Sequence, residues 1–577
     1  MDEYIRSAAF QVRIEAMMRA HHVPGLSMAI VHKGKTTSVG WGKASLDPLK
    51  PCTPDTLFDI ASCSKSLTAA SVALLVDDDE NYPEVQWDAV MSELLPDDFV
   101  MPGVGYTEGI TVDDILSHRT GMPRHDLSYL GPLASKTDDA RSVTRNLRNL
   151  SVCAPLRSKF LYNNMMYTVA THLVEVKTKK SFSDFLDERF FAPLGMESTC
   201  LQPSEARRRG LGDRIGTGYD WDKATSTHLG IEWPDAPEAQ GAGLVVSSAN
   251  DLIKWVKALL DHNEDPINGR VYQGLVRLRT MSESTWKSQK KRRPHATPPV
   301  YAAGLEVHTY RGQRVVSHDG SGFGFSGRFF LLPDLKFGAV ILGNAEGTFD
   351  VQCLVTKELI DELLGVPMPE RLYMQQFTKT KTKKEKKKKT PKPAKTKAAQ
   401  TAPEVPGNLD EEKDGSSADA GKTKEVAKDN LKAEANSSGK AKKQEDTSSK
   451  TLSKPQTAPL SAYTGPYWHP GYRELTVEIR EGKLFVNAPD RSYGFSLTFE
   501  HVADDAKFAT HMKYLLSAGA SSPIDAEFVW ENGRVVRMGL DLEEDVKEVI
   551  WFQKKEGDVQ EAVGGPKGLS VNEGDVN

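Results

Sequence analysis

From Thr378 to about Pro459 the chain carries hardly a large apolar side chain, and this stretch limits what everything on either side of it can fold into. It is built of Lys, Ala, Thr, Ser, Glu and Asp, with eleven lysines between Lys379 and Lys397 against the single acid Glu385. Such a segment cannot bury enough surface to offset its ordering entropy, so it reads as a disordered linker. The parts before and after it must then each build a core of their own. A chain of 577 residues also exceeds what one hydrophobic core usually organises. A lysine run can mark nuclear targeting or contact with nucleic acid. No aromatic residue is interleaved here to stack on bases, so a solvated linker is favoured and no nucleic-acid partner is expected.

Before the linker, three short elements stand in a telling order. Ser62-Cys63-Ser64-Lys65 sets a hydroxyl and an amine one helical turn apart on the same face, the placement of a serine nucleophile beside a base. Leu67, Ala70, Leu74 and Leu75 follow at helical spacing, which predicts a helix that buries one stripe and holds Ser62 at its exposed start. About a hundred residues on comes Tyr162-Asn163-Asn164, the only Tyr-x-Asn in the chain, and later His318-Asp319-Gly320-Ser321-Gly322. Ser-x-x-Lys recurs at Ser284, Ser288 and Ser437, and His-x-Gly at His32, His228 and His469. Each element is therefore weak alone, and order and spacing make the set specific.

The set resembles the serine β-lactamase and penicillin-binding-protein superfamily, whose elements are Ser-x-x-Lys, Tyr-x-Asn or Ser-x-Asn, and Lys-Thr-Gly or a variant. The chain looks most like the branch of class C β-lactamases, D-aminopeptidases and β-lactamase-fold esterases. Val23-Pro24-Gly25, the run Thr111 to Pro123 and the run Gly241 to Leu252 agree with it, and the resemblance covers roughly residues 5 to 367. It implies an α+β fold in which an antiparallel sheet is flanked by helices and a helical lobe is inserted. Strand patterns fit: Leu26 to Val31 and Thr36 to Trp41 flank a Lys33-Gly34 turn, and Tyr301 to Thr309, Phe325 to Leu332 and Phe337 to Leu342 return late, before a helix over Val351 to Leu364.

The chemistry follows from need. A serine hydroxyl is a poor nucleophile at neutral pH, so acyl transfer requires a base within hydrogen-bond reach. Lys65 serves once burial beside positive groups lowers its pKa. Tyr162 is the second candidate, a phenol held partly ionised near lysine that shuttles the proton to the leaving group; the residues leave the choice open. Asn164 donates to the acyl side of the substrate or holds Lys65. By resemblance, the oxyanion is met by the N–H groups of Ser62 and Ser321, while Gly320 and Gly322 let the strand approach the substrate closely. His318 departs from the lysine of many β-lactamases: an imidazole mostly neutral at pH 7 is ill suited to a substrate carboxylate, which favours the esterase and D-aminopeptidase side. Arg124 and His125 read as surface residues, and Cys63 as packing.

Neither a Gly-x-Ser-x-Gly elbow nor a His-x-His-x-Asp zinc cluster is present; His118, His125 and Asp126 form no recognisable ligand set. No metal or cofactor is called for. Five scattered cysteines read as reduced thiols. The start, MDEYIRSAAFQVRIEAMM, reads as an amphipathic helix rather than a secretory signal, and no apolar run approaches the ~20 residues of a membrane span. A cytoplasmic protein without membrane contact is expected. After the linker, Leu475, Val477 and Ile479 alternate, and Glu531-Asn532-Gly533-Arg534 signals a hairpin, so a small antiparallel β-domain is predicted. The resulting organisation is a hydrolase domain at 1–375, linker at 376–459, β-domain at 460–555 and polar tail at 556–577. The activity expected is that of a metal-independent serine hydrolase forming a Ser62 acyl-enzyme from a small ester or amide, with water, an alcohol or an amine as acceptor. A β-lactamase and a catalytically silent scaffold are the alternatives; oligomeric state is left open.

Overall fold

Lys33 and Gly34 both take positive φ, 50° and 81°, the backbone of a two-residue turn whose twist matches its flanking strands. They join β1 (Gly25–His32) to β2 (Lys35–Leu46). The computed structural model, which describes residues 1–282, 295–371, 456–516 and 523–555, sets this hairpin in an antiparallel sheet. Its other strands are β3 (Leu49–Pro51), β4 (Thr280–Met281), β5 (Val300–Tyr301), β6 (Glu306–Tyr310), β7 (Gln313–Gly322), β8 (Phe325–Leu332) and β9 (Phe337–Gly343). The spatial order is β3-β2-β1-β9-β8-β7-β6-β5-β4, so the first and last strands of the catalytic region pair within the interior of the sheet.

Both faces of the central strands are buried, which explains why β1 and β9 read as continuous apolar runs rather than alternating ones. Ala29, Val31, Phe329, Leu331, Val340 and Leu342 belong to the core shared with the helical lobe. Their neighbours Met28, Ile30, Phe330, Ala339 and Ile341 are equally buried but point the other way, toward helices α1 (Ala8–Ala20) and α5 (Thr348–Leu363). Between these ends the chain builds the lobe, with α2 (Ser64–Asp77), α3 (Met165–Thr178) and α4 (Ala249–Asp261). This is the expected β-lactamase-type architecture.

Two details differ from expectation. The strand read over Tyr301 to Thr309 is broken between β5 and β6, where Gly304 takes φ +63°; a Cβ there would sit 2.4 Å from the Lys65 carbonyl oxygen. The break lets the sheet edge press against the helix that carries the nucleophile. Helix α2 buries every residue from Ser64 to Val76, not a single stripe, because sheet, α3 and α4 surround it.

Beyond the linker, eight strands from Gly465–His469 to Ile550–Lys554 close into an antiparallel barrel. Asn532 and Gly533, at φ 50° and 74°, make the expected hairpin turn. Leu475 and Val477 point inward, but Ile479, near the strand end, is 47% exposed. Tyr463, Tyr467, Phe499, Phe508, Phe528 and Phe552 fill the interior, so the barrel is a packed core rather than a container. It packs against the lobe through backbone pairing. Gly131 N–H donates to the Asp490 carbonyl at 2.8 Å, and Ser492 N–H to the Tyr129 carbonyl at 3.3 Å.

The expected linker, but for residues 456–459, and the polar tail lie outside the described residues, as do the Ser-x-x-Lys repeats at 284, 288 and 437. Among the described residues no helix is long and apolar enough to cross a membrane, and no group of three or more His, Cys, Asp or Glu is placed to hold a metal ion.

Candidate active site

Ser62 lies on a 3-10 turn, Ala61–Cys63, that runs straight into α2. The turn is strained: Ala61, a residue with a side chain, takes φ +45°, a conformation that costs an L-residue about 1 kcal/mol or more and collects at functional sites. Asp59 holds it there, its Oδ1 accepting from the Ala61 N–H at 2.7 Å. This is an Asx-turn device, a carboxylate bonding the backbone two residues on. On the far side, strand β7 closes in. A Cβ on Gly320 would lie 2.2 Å from the Ile60 carbonyl oxygen and 3.1 Å from the Ser62 nitrogen. Gly320 therefore admits the nucleophile's own backbone, where sequence alone suggested room for substrate. Cys63 is buried and donates its thiol to the His318 carbonyl at 3.3 Å, away from the cleft.

Around Ser62 Oγ the three elements converge. Lys65 Nζ is 3.1 Å away, and the Tyr162 hydroxyl donates to the same Oγ at 2.8 Å. Lys65 Nζ also donates to Asn164 Oδ1 and to the Ala242 carbonyl, both at 2.8 Å. The three N–H groups of an ammonium are matched by two carbonyl-type acceptors and the Ser62 hydroxyl, and loss of the proton directed at Ser62 leaves a lone pair aimed at Oγ. Burial drives this by pushing the ammonium pKa down to about 7, helped by Arg124 and opposed by Asp126. Tyr162 goes the opposite way. Burial pushes its phenol up, the direction opposite to the expected partial ionisation. Its ring centroid lies 4.9 Å from Lys65 Nζ and 4.8 Å from the Arg124 guanidinium.

Asn164 holds Lys65 rather than reaching out to a substrate, and its Nδ2 donates to Asp126 at 3.1 and 3.2 Å. Asp126 opens a short 3-10 turn, Asp126–Ser128, whose anchors correct a further expectation. His125 is not a surface residue but 1% exposed, clamped by the barrel: its N–H donates to Glu543 Oε2 at 2.8 Å, and its ring bonds the Tyr472 hydroxyl at 2.7 Å and the Ser151 carbonyl at 2.8 Å. Arg124, half exposed, pairs with Asp126 at 3.5 Å and lines the cleft. Ser492 of the barrel donates to buried Glu238, a few residues before Ala242, whose carbonyl accepts from Lys65.

His318 is 5% exposed. Its Nδ1 lies 2.6 Å from the Asp319 carbonyl, which only accepts, so Nδ1 carries the proton and Nε2 accepts from the Tyr301 hydroxyl at 2.8 Å. Burial and the Lys65 charge push its pKa down to about 4. This neutral imidazole offers no cation to a substrate carboxylate. Asp319 forms an ion pair with Arg328 on the adjacent strand. Beyond the Glu306–Ser317 pairing, β6 no longer covers β7, leaving His318 to Gly322 as an open edge.

The cleft over Ser62 has a volume of about 400 Å³. It contains Ser62, Tyr162, Asn164, His318, Gly320 and Ser321 in one wall-to-wall group, with Lys65 buried behind Ser62. Among the members that sequence reasoning missed are Asp59, Tyr301 and Tyr493. Asp59 had a signal, an Asx residue just before the nucleophile turn; burial pushes its carboxyl up to about 7. Tyr493 had none, since it arrives from the barrel across more than 400 residues and stacks on Phe323, centroids 6.2 Å apart and planes 9° from parallel.

Residues 10–358 match the Beta-lactamase family, and residues 449–554 match a family described as a domain of unknown function, DUF3471. Among characterised proteins, the chain is 32% identical over 543 residues to the Unguisins hydrolase ungD' of Aspergillus campestris (strain IBT 28561), covering 93% of this chain and 90% of that protein. It is 30% identical over 551 residues to the Unguisins hydrolase ungD of Aspergillus violaceofuscus (strain CBS 115571), covering 92% and 86%. Among solved structures, the octameric penicillin-binding protein homologue from Pyrococcus abyssi superposes with a TM-score of 0.54 at 16% identity, over 94% of this chain and 99% of that one; at that identity the likeness is one of fold.

Proposed function

We propose that this chain, which belongs to the Beta-lactamase family, is a serine hydrolase that cleaves amide bonds, and activated esters with them, through an acyl-enzyme on Ser62. The observation that carries the reading is the pairing at one oxygen: Ser62 Oγ stands 3.1 Å from a lysine amine and 2.8 Å from a tyrosine hydroxyl. Neutral Lys65 takes the Ser62 proton as Oγ attacks the carbonyl carbon. The oxyanion that forms is met by the N–H groups of Ser62, at the start of α2, and of Ser321 on β7.

Collapse of that intermediate requires a proton on the departing nitrogen, since an amide anion is too poor a leaving group. Tyr162, kept protonated, supplies it, and the proton held on Lys65 restores the phenol. This favours an amide over an ester alone, because an alkoxide leaving group makes a smaller demand for an acid. Water then attacks the acyl carbon in the same oxyanion site and the two residues reverse their roles. That the similar fungal proteins are named hydrolases supports water as acceptor. The open cleft weighs against a silent scaffold. The neutral, hydrogen-bonded His318 weighs against a substrate recognised by its carboxylate, as a penicillin would be.

Steady-state turnover of a panel holding a D-amino-acid amide, short peptide amides, activated esters and a penicillin tests the proposal. Amide and ester turnover by the wild-type protein, lost in Ser62→Ala with the fold intact, is the expected result. Unchanged turnover in Ser62→Ala would overturn it.

A further inference from the structure

The catalytic cleft does not end at its wall. Past the tip of β7 it opens into a second, larger groove of about 600 Å³ that the lobe and the barrel form together. Arg124, Asp126, Ser321, Gly322, Phe323 and Tyr493 line both spaces, so the passage between them runs over the stacked Phe323 and Tyr493 rings. The open edge of β7, His318 to Gly322, leads from Ser62 to this passage. A small amide that fills the cleft leaves the groove empty, whereas an extended chain along the edge reaches it.

The walls of the groove are of two kinds. Tyr219 and Phe325 from the catalytic region and Tyr514, Leu516 and Leu542 from the barrel give it apolar and aromatic surface. Asp220, Glu346, Glu544 and Asp545 also line it, and Arg124 is the one basic side chain among the described lining residues. That cation is already matched with Asp126, and Asp545 with Lys159 at 2.9 Å, so the negative field of the groove rests chiefly on Glu346 and Glu544.

We propose that this groove is the distal subsite of the hydrolase, taking the part of a peptide substrate that lies beyond the residues flanking the scissile bond, and that it favours basic over acidic side chains there. Three features argue for a peptide. The groove is continuous with the nucleophile's cleft, the connecting edge offers backbone groups to an extended main chain, and aromatic walls with a net negative field suit side chains with apolar stems and cationic heads. The barrel thereby acquires a role in selecting substrate. The inference rests on the hydrolase reading, and the following experiment separates the two.

The full-length protein is given a short amide and the same amide extended by three residues on the acyl side or on the leaving side, each extension carrying Lys, Ala or Glu. On one of the two sides, kcat/KM for the Lys extension should exceed that for the Glu extension by about tenfold. The ratio should shrink in Glu346→Gln/Glu544→Gln, and in the wild type as salt rises from about 50 to about 500 mM. Fluorescence anisotropy of the labelled peptides on Ser62→Ala gives the binding order without turnover. Hydrolysis of the short amide with no discrimination among extensions would overturn the groove and leave the hydrolase standing. Preferential binding of the Lys peptide to Ser62→Ala, with no hydrolysis by the wild type, would support the groove and overturn the hydrolase.

Discussion

Asn164 and Lys65 are locked in one orientation: Asn164 Oδ1 accepts from Lys65 Nζ at 2.8 Å while Asn164 Nδ2 is tied to Asp126. The amide cannot flip without facing Asp126 with its oxygen. The lysine is thereby aimed at Ser62 by a chain of contacts that ends at His125 and the barrel.

The first prediction concerns pH. Burial lowers the Lys65 pKa to about 7, and only the neutral amine accepts the Ser62 proton. kcat/KM therefore rises with pH and is half-maximal near pH 7, since this ratio reports groups of the free enzyme. A profile flat from about pH 5 to about pH 9 contradicts Lys65 as base.

The acid limb should also move in opposite directions in two variants. Asp126 raises the Lys65 pKa and Arg124 lowers it. Asp126→Asn should shift the limb to lower pH, and Arg124→Gln to higher pH. Coincident shifts would show that another group titrates.

Gly320 is the next test. A Cβ at this position meets the Ile60 carbonyl oxygen at 2.2 Å, so Gly320→Ala must displace β7 from the nucleophile turn and with it the Ser321 N–H. Loss of one oxyanion donor costs about 10²–10³ in kcat. A drop of that order, with the circular dichroism unchanged, is expected; near-normal kcat would mean that the strand does not set the oxyanion site.

Much of this is legible in the amino-acid sequence. Ser62, Lys65, Tyr162, His318 and Ser321 lie within local motifs whose residue types state their chemistry, and the Lys33-Gly34 turn and the late strands follow from backbone preference and periodicity. What was illegible is long-range. Nothing near Tyr493 points to a cleft, because its place is set by pairing between the 490–492 loop and Tyr129–Gly131. The upward push on the Tyr162 phenol was illegible for a related reason: proximity to lysine is readable from a motif, but burial, the larger effect here, is a property of the whole fold.

Glu238 gives a stability prediction outside the reacting groups. It is fully buried, its Oε2 has no partner among the described residues, and burial raises its carboxyl from 4.5 to about 7. Between those values the folded state holds more protons than the unfolded, so stability falls as pH rises through this window. Glu238→Gln removes that share of the slope. Its Tm should match the wild type near about pH 5 and exceed it by a few degrees near about pH 8; a deficit at the higher pH would contradict the assignment.

The most direct test of the central claim is the intact mass of the protein after acid quench during turnover of an activated ester and of a matching amide. The mechanism predicts a mass increase equal to the acyl group, mapped to the peptide containing Ser62 and absent from Ser62→Ala. Turnover with no adduct under these conditions, or an adduct that persists in Ser62→Ala, would contradict a Ser62 acyl-enzyme.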